Sequence, residues 1–425
     1  MAAALRPFRL PAFPRLASAY LVNELGNWLG EIALAVLIFD QTDSTLATAG
    51  LFLGVHFAPA FLTPPLAARL DGVSARRALP ALYATEALAF AVLALLASDN
   101  FALAAVLAIA TVDGAIAAAA RALTRASATA VLAPAGQLRE GNALLNVAFT
   151  AGAAAGPALG GLVVAGAGVE TALLADAASF VCVAVLLAAS RNLPTPATEP
   201  GEPGWAVKLR RGLTYVRERA PLRRLLGAQA AAFVFFATVI PIEVALAKDT
   251  LDAGDLGYGL MLASWGVGML AGSLIFTVLR RMRLPSLLIS STLAIGAAYL
   301  GMAVAPSLAV ACAAAFVGGT GNGIQWVALV TAVQELTRAT YQARVLALVE
   351  ALASAMPGIG FLLGGAVATL LDPRASFAVA GAGVIVVLVL AIARLRDVEW
   401  HPELEQGPEA RLQVPLQAPS PHAPP

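Results

Sequence analysis

The sequence predicts an all-α membrane fold of twelve transmembrane helices in two pseudo-symmetric six-helix bundles. Three observations predict it. The first is composition. Of 425 residues, 59% are hydrophobic and 12% charged, with mean hydropathy +0.80, whereas a soluble domain carries about 25% charged residues. The second is length. A helix needs about 20 apolar residues to cross a bilayer, and the apolar content is enough for roughly twelve. The third is charge placement. With the amino terminus in the cytoplasm, all but Lys248 and Arg374 of the 27 basic residues fall on the cytoplasmic side, the asymmetry that sets orientation. Composition excludes a soluble enzyme, a nucleic-acid binder and a disordered scaffold. It also leaves no room for a large extramembrane domain. The net charge of +1 gives no bulk attraction to an acidic partner.

In chain order, residues 1–16 carry Arg6, Arg9 and Arg15 and read as a cytoplasmic terminus. They do not open a cleavable signal, because Glu24 and Glu31 interrupt the apolar stretch that follows. The first bundle, 17–190, holds spans 1 to 6 at 17–39, 46–69, 78–98, 102–126, 141–166 and 171–190. A linker, 191–222, begins with Pro194, Pro196, Pro200 and Pro203 and then turns basic. Its stretch KLRRGLTYVRERAPLRRLL has helical spacing and is expected on the inner membrane surface, drawn to anionic lipid. The second bundle, 223–396, holds spans 7 to 12 at 223–247, 256–280, 285–304, 307–333, 342–370 and 375–394. The tail, 397–425, is rich in Pro, Glu and Gln and reads as a disordered cytoplasmic segment. Strands are excluded because the runs are long, Leu/Ala-rich and without ten-residue alternation. The Arg-rich, Lys-poor composition suggests a bacterial chain, hence a plasma membrane with both termini inside.

The halves resemble each other. Arg139 precedes a Gly-rich helix with Gly160–Gly161, and Arg344 precedes one with Gly364–Gly365. Arg76–Arg77 after span 2 answers Arg280–Arg281 after span 8, and "AASF" at 177–180 answers "RASF" at 374–377. Two repeats joined by a cytoplasmic linker make one transporter fold, expected as a monomer. Cys182 and Cys312 sit inside apolar runs and form neither a disulfide framework nor a zinc site. Gly318-Gly319-Thr320-Gly321-Asn322-Gly323 has no following Lys and lies within a span, so ATP is not the fuel. No metal or hydrolase motif appears, and no cofactor is expected.

Span 5 reads AGAAAGPALGG. Gly152, Gly156, Pro157, Gly160 and Gly161 place small residues for close backbone approach and add a bend. Ordinary tight packing is the alternative. With this string the chain resembles the major facilitator superfamily, and most of all its bacterial drug and siderophore exporter branch, which includes macrolide-efflux and enterobactin-exporter-like proteins. The string matches that superfamily's exporter-associated glycine-proline motif apart from its distal upstream glycine. "QLREGNALLNVAFTAGAAAGPALGG" resembles the branch as well. The loop "ARLDGVSARR" resembles the superfamily's loop signature. Asp71 matches its acidic residue and Arg76 and Arg77 its basic pair, while Ala67, Gly72, Ser74 and Ala75 depart from it. The resemblance covers about residues 15–395. It implies that Asp71 latches the halves at the cytoplasmic gate, with Arg121, Arg125 and Arg344 as partners. A turn-capping Asp among solvated arginines is the alternative.

Glu24, Glu31, Glu86, Asp113, Asp176, Glu243 and Glu350 lie within apolar spans. A charge at the bilayer centre costs about 2.5–3.5 kcal/mol, so seven facing lipid would cost roughly 20 kcal/mol. Each must face a wet cavity, find a partner or hold a proton. The superfamily resemblance implies that helices 1, 4, 7 and 10 line the central cavity, which selects Glu24, Glu31, Asp113 and Glu243 for proton coupling. Glu24, Asn27 and Glu31 also share one face of span 1 at i, i+3 and i+7; interhelical glue is the alternative. Glu86 and Asp176 read as structural, Glu350 as a partner of Arg344 or Arg338, and His56 as a packing residue. Gln229, Phe233 and Phe236 in span 7, with Asn322, Gln325 and Trp326 in span 10, read as a substrate lining; packing of the aromatics against other helices is the alternative. Aromatic and amide groups suit bulky amphipathic ligands.

The expectation is a proton-coupled exporter of small amphipathic molecules, with protons, substrate and membrane lipid as its partners. A proton symporter importing a nutrient predicts a cavity Arg for an anionic substrate; apart from Arg121 near the cytoplasmic end of span 4, the cavity spans carry no mid-membrane base, which disfavours it. A non-transporting sensor or scaffold predicts no counterflow. Sodium in place of the proton stays open at this point.

Overall fold

The computed structural model describes residues 6–70, 74–98, 101–190, 193, 205–279, 282–337 and 341–395. Among the described residues every regular element is helical, and eleven helices are long and apolar enough to cross a membrane. Span 1 is Phe13–Thr42, span 3 Ala75–Ala97, span 4 Leu103–Leu132 and span 8 Gly254–Leu279. Spans 9 to 12 are Leu284–Ala303, Leu308–Glu335, Gln342–Leu370 and Pro373–Leu395. Spans 5 and 6 run together as Leu138–Ala188, 51 residues. At about 1.5 Å per residue that is far too long for a hydrocarbon core of about 30 Å. Gly168, at φ 84° and ψ 166°, breaks the helix with a backbone only glycine adopts readily. The spans therefore number twelve.

Two spans are segmented, for local reasons. Asp43 leaves span 1 in a left-handed conformation, and Ser44 then starts span 2 by accepting a hydrogen bond from the Ala47 N–H at 3.2 Å. Span 2 runs Thr45–Phe52, then a widened turn Leu53–Phe57, then Pro59–Leu70. The turn closes with the Ala58 N–H donating to the Leu53 carbonyl at 3.0 Å, just before Pro59, which has no N–H to give. Span 7 is Ala220–Ala237; beyond it, around Pro241, come short turns at Ile240–Ile242, Glu243–Ala245 and Leu246–Thr250. The linker helix is Trp205–Glu218. It lies against the second bundle, where Tyr215 and Val216 are buried with Leu329, Val333 and Val345 of spans 10 and 11.

Glycine contacts assemble the bundles. A Cβ at Gly152 would lie 3.0 Å from the Glu24 Cβ, one at Gly156 would lie 2.6 Å from the Trp28 Cβ, and one at Gly160 would lie 3.1 Å from the Ile32 Cγ1. One face of span 5 is thereby pressed on span 1. In the second bundle Gly268 and Gly272 of span 8 interleave with Gly319 and Gly323 of span 10, each against a backbone carbonyl of the other helix. Between the halves, a Cβ at Gly161 would lie 2.9 Å from the Gly259 Cα, and one at Gly365 would lie 2.9 Å from the Ala49 Cβ. Thr45 Oγ1 donates to the Gly365 carbonyl at 3.3 Å. These last contacts seal the end of the molecule where span 1 finishes and span 2 begins.

Candidate functional site

A cavity of about 490 Å³ lies in the first half, walled by spans 1, 2 and 4 and completed by Phe90 of span 3 and Ser354 of span 11. Its chemistry comes from Asn27 and Glu31 on span 1, His56 on span 2, and Asp113 and Arg121 on span 4. Gly114 makes the geometry possible. A Cβ there would lie 2.7 Å from the Val55 carbonyl, so its absence lets the widened turn of span 2 press against span 4. His56 rides on that turn. Its Nε2 lies 3.3 Å from Glu31 Oε2, its ring stacks on Phe52 at 5.8 Å, and Phe361 of span 11 lies 6.3 Å away.

Glu24, one turn before Asn27, is 3% exposed and lies 3.6 Å from the Arg121 Nε. Asp113 is 8% exposed, and its Oδ1 has no hydrogen-bond partner among the described residues. Arg125, one turn beyond Arg121, donates to Tyr20 Oη at 2.6 Å and lies 5.3 Å from that ring's centre. Glu86 and Asp176, read from the sequence as structural, are completely buried behind span 1. The Asp176 carboxyl fills the notch left by Gly26 and Gly30 and accepts from Ser179 Oγ at 3.1 Å. Neither Glu86 oxygen is partnered among the described residues. Glu86, Asp113 and Asp176 lie within electrostatic reach of one another. Glu243, half-buried beyond span 7, is within the same reach of Glu31 across the interface between the halves.

A second cavity, of about 300 Å³, lies in the second half among spans 7, 9, 10 and 12. Gln229 and Gln325 both line it, with Thr292 between spans, and Gln325 Nε2 donates to Thr292 Oγ1 at 2.9 Å. The two cavities share no residue. The remaining residues of the sequence's substrate lining sit elsewhere. Phe236 packs edge-on to Trp265 at 5.7 Å and its carbonyl accepts from Tyr299 Oη at 3.2 Å. Phe233 and Asn322 are half-buried, and Trp326 is exposed on span 10.

Of the expected cytoplasmic gate, Asp71 lies outside the described residues, as does the side chain of Arg344. Arg76 and Arg77 are exposed at the start of span 3. Glu350 of span 11 is within electrostatic reach of Arg125. At the opposite, sealed end the structure holds a network that sequence reasoning missed. Lys248 Nζ donates to Asp40 Oδ1 at 2.5 Å and to Asp255 Oδ1 at 2.6 Å, tying span 1 to spans 7 and 8. The available signal was that Lys248 is one of two basic residues on that side, with acids ending span 1 and opening span 8. Among the described residues no group of His, Cys, Asp and Glu is arranged to hold a metal.

The family model for transmembrane secretion effectors matches residues 2–419. Among solved structures, the chain is similar to the nucleoside transporter NupG, with a TM-score of 0.74 and 12% identity over 90% of this chain and 99% of that one. It is similar to a bacterial homologue of the iron transporter ferroportin in the inward-facing state, with a TM-score of 0.70 and 17% identity over 90% of this chain and 98% of that one. A bacterial homologue of the lysosomal transporter Spinster, inward-facing and occupied, gives 0.70 and 13% over 92% and 97%. At these identities the likeness is one of fold. No curated protein matches the chain.

Proposed function

The chain belongs to the transmembrane secretion effector family of the major facilitator superfamily, and from that premise we propose that it exports small amphipathic molecules in exchange for protons. Membrane transport of a small molecule is the coarser statement, and the family match and the transporter folds carry it. The observation that carries the finer one is the first cavity. It sets Glu31, His56 and Asp113 around one space, with Glu24 held behind it by Arg121. A carboxylate there binds a proton or a cationic group of the substrate, not both, and such competition is what exchange requires.

The arginine distribution puts both termini in the cytoplasm of a bacterial cell. The sealed end with Lys248 then faces outward and the first cavity opens inward. Substrate enters from the cytoplasm and displaces protons from the cavity acids. Breaking the Lys248 network and the Thr45–Gly365 contact opens the outer side, where the substrate leaves and protons return. Glu31 and Glu243 lie across the interface between the halves, so a proton shared there favours the closed outer side and its loss favours opening. The inner gate in this reading is Asp71 with Arg76 and Arg77, partnered by Arg121 or Arg125 of the first half and by Arg344 of the second. No cofactor enters the cycle. Each proton crossing 100 mV releases about 2.3 kcal/mol, which supports roughly a fifty-fold gradient of a substrate without net charge; a monovalent cation exchanged one for one is driven by the pH difference alone.

The test is proton counterflow. The purified protein in vesicles, loaded with a pH-sensitive dye and given tetraphenylphosphonium, is expected to move protons against the cation. Glu31→Gln and Asp113→Asn are expected to abolish that movement. Proton-driven flux unchanged in Glu24→Gln, Glu31→Gln and Asp113→Asn alike overturns the proposal. One observation favours a second reading. Arg121 lines the cavity, as a symporter for an anionic nutrient requires. Uptake of anions driven by an inward proton gradient decides for it.

A further inference from the structure

We propose that the second cavity is a separate binding site for an uncharged, largely apolar small molecule bearing an amide or hydroxyl group. Gln229 and Gln325 each remain only 8% exposed, yet both line about 300 Å³ of space inside the second bundle. Gln229 has no hydrogen-bond partner among the described residues. Gln325 gives one of its two amide N–H groups to Thr292 Oγ1 and lines the space with the rest of its amide. Two amides, each with donor and acceptor capacity left, therefore line a pocket whose remaining wall is Leu, Ile, Val, Ala and Pro. A polar group of a ligand that enters so apolar a pocket needs a hydrogen-bond partner there, and these amides supply it.

The wall also defines what is refused. No Asp, Glu, Lys, Arg or His lines this cavity, so a charged ligand would be buried without a counter-ion. The first cavity, lined by four ionisable side chains, selects the opposite. A lipid acyl chain fits the apolar wall but leaves Gln229 and Gln325 unpaired. Ile289, on the cavity wall, is 37% exposed, so the cavity is accessible along span 9. The site does not depend on proton exchange and stands if that reading fails.

The experiment is fluorine NMR of 4-fluoroacetanilide with the full chain in phosphatidylcholine nanodiscs, with 1-fluoronaphthalene as the apolar comparison. Saturable binding of the amide is expected, with much weaker binding of the hydrocarbon. Gln229→Leu with Gln325→Leu is expected to raise Kd at least about tenfold, as the loss of two hydrogen bonds implies. Asp113→Asn is expected to leave it within about twofold. Ala391→Phe, which fills the cavity and leaves both amides in place, abolishes binding. It supplies the test if the double variant fails to fold. Binding that survives Ala391→Phe, equal affinity for the hydrocarbon, or no saturable binding overturns the proposal.

Discussion

The two halves follow the same path through six spans and differ in the carboxyls they bury. Among the described residues the buried carboxyls, Glu24, Glu86, Asp113 and Asp176, all lie in the first half. The second half buries amides and hydroxyls, Gln229, Ser291, Thr292 and Gln325, and closes its interior with glycines against carbonyls. Each half carries a cavity, one ionisable and one neutral. The lesson is a division of labour. The half with unpaired charge is where a proton changes energies most, because burial without a counter-ion makes each charge costly. The second half is expected to be the more rigid, because spans 8 and 10 meet at backbone contact through Gly268, Gly272, Gly319 and Gly323.

Four measurements would break or sharpen that contrast. The largest effect belongs to the rigid half. A Cβ at Gly319 would collide with the Trp265 carbonyl, so Gly319→Val is expected to cost about 3 kcal/mol as overpacking, read as a fall in thermal midpoint in detergent. A stable, active Gly319→Val would show that the second half is not rigid. Next comes Asp113→Asn, which keeps shape and removes a titratable group. It is expected to collapse proton-driven accumulation from roughly fifty-fold toward unity, measured as the steady-state substrate ratio in energised vesicles. Its stability should change far less than that of Gly319→Val.

Lys248→Met removes the cation shared by Asp40 and Asp255, ion pairs near the sealed end worth about 1 kcal/mol. The expected outcome is a larger outward-open population, read as faster thiol labelling of a Thr45→Cys reporter. Unchanged labelling would mean that the glycine contacts alone hold the seal. The smallest effect is assigned to Trp326→Leu. Its ring is exposed on span 10 and lines neither cavity, so stability should move by less than about 0.5 kcal/mol and transport should not change. A transport defect there would restore Trp326 to the substrate path.

The spans were legible residue by residue because hydropathy is local. Spans 141–166 and 171–190 were separable as apolar runs, and the helical stretch Leu138–Ala188 is broken between them at Gly168. The stripe Glu24, Asn27 and Glu31 was legible as one face from its spacing, and Asn27 and Glu31 do share a cavity wall. The union of Gln229 with Gln325 was only half legible. Each stood out as an amide in an apolar helix, but nothing local sets them across from Thr292 rather than across from Asp113. The Lys248 network was illegible in the same way, since Asp40 and Lys248 are 208 positions apart.

By itself the sequence determined the class of fold, the number of crossings and which groups are out of place in lipid, since each follows from transfer cost over about 20 consecutive residues. Only the tertiary structure decided which of those groups meet. Where a side chain points depends on how its helix is turned, and that turn is fixed by contacts with other helices. Gly114 under Val55, Gly152 to Gly160 on span 1, and Gly319 on Trp265 set those turns. Through them one family of polar residues was sorted into an ionisable cavity and a neutral one.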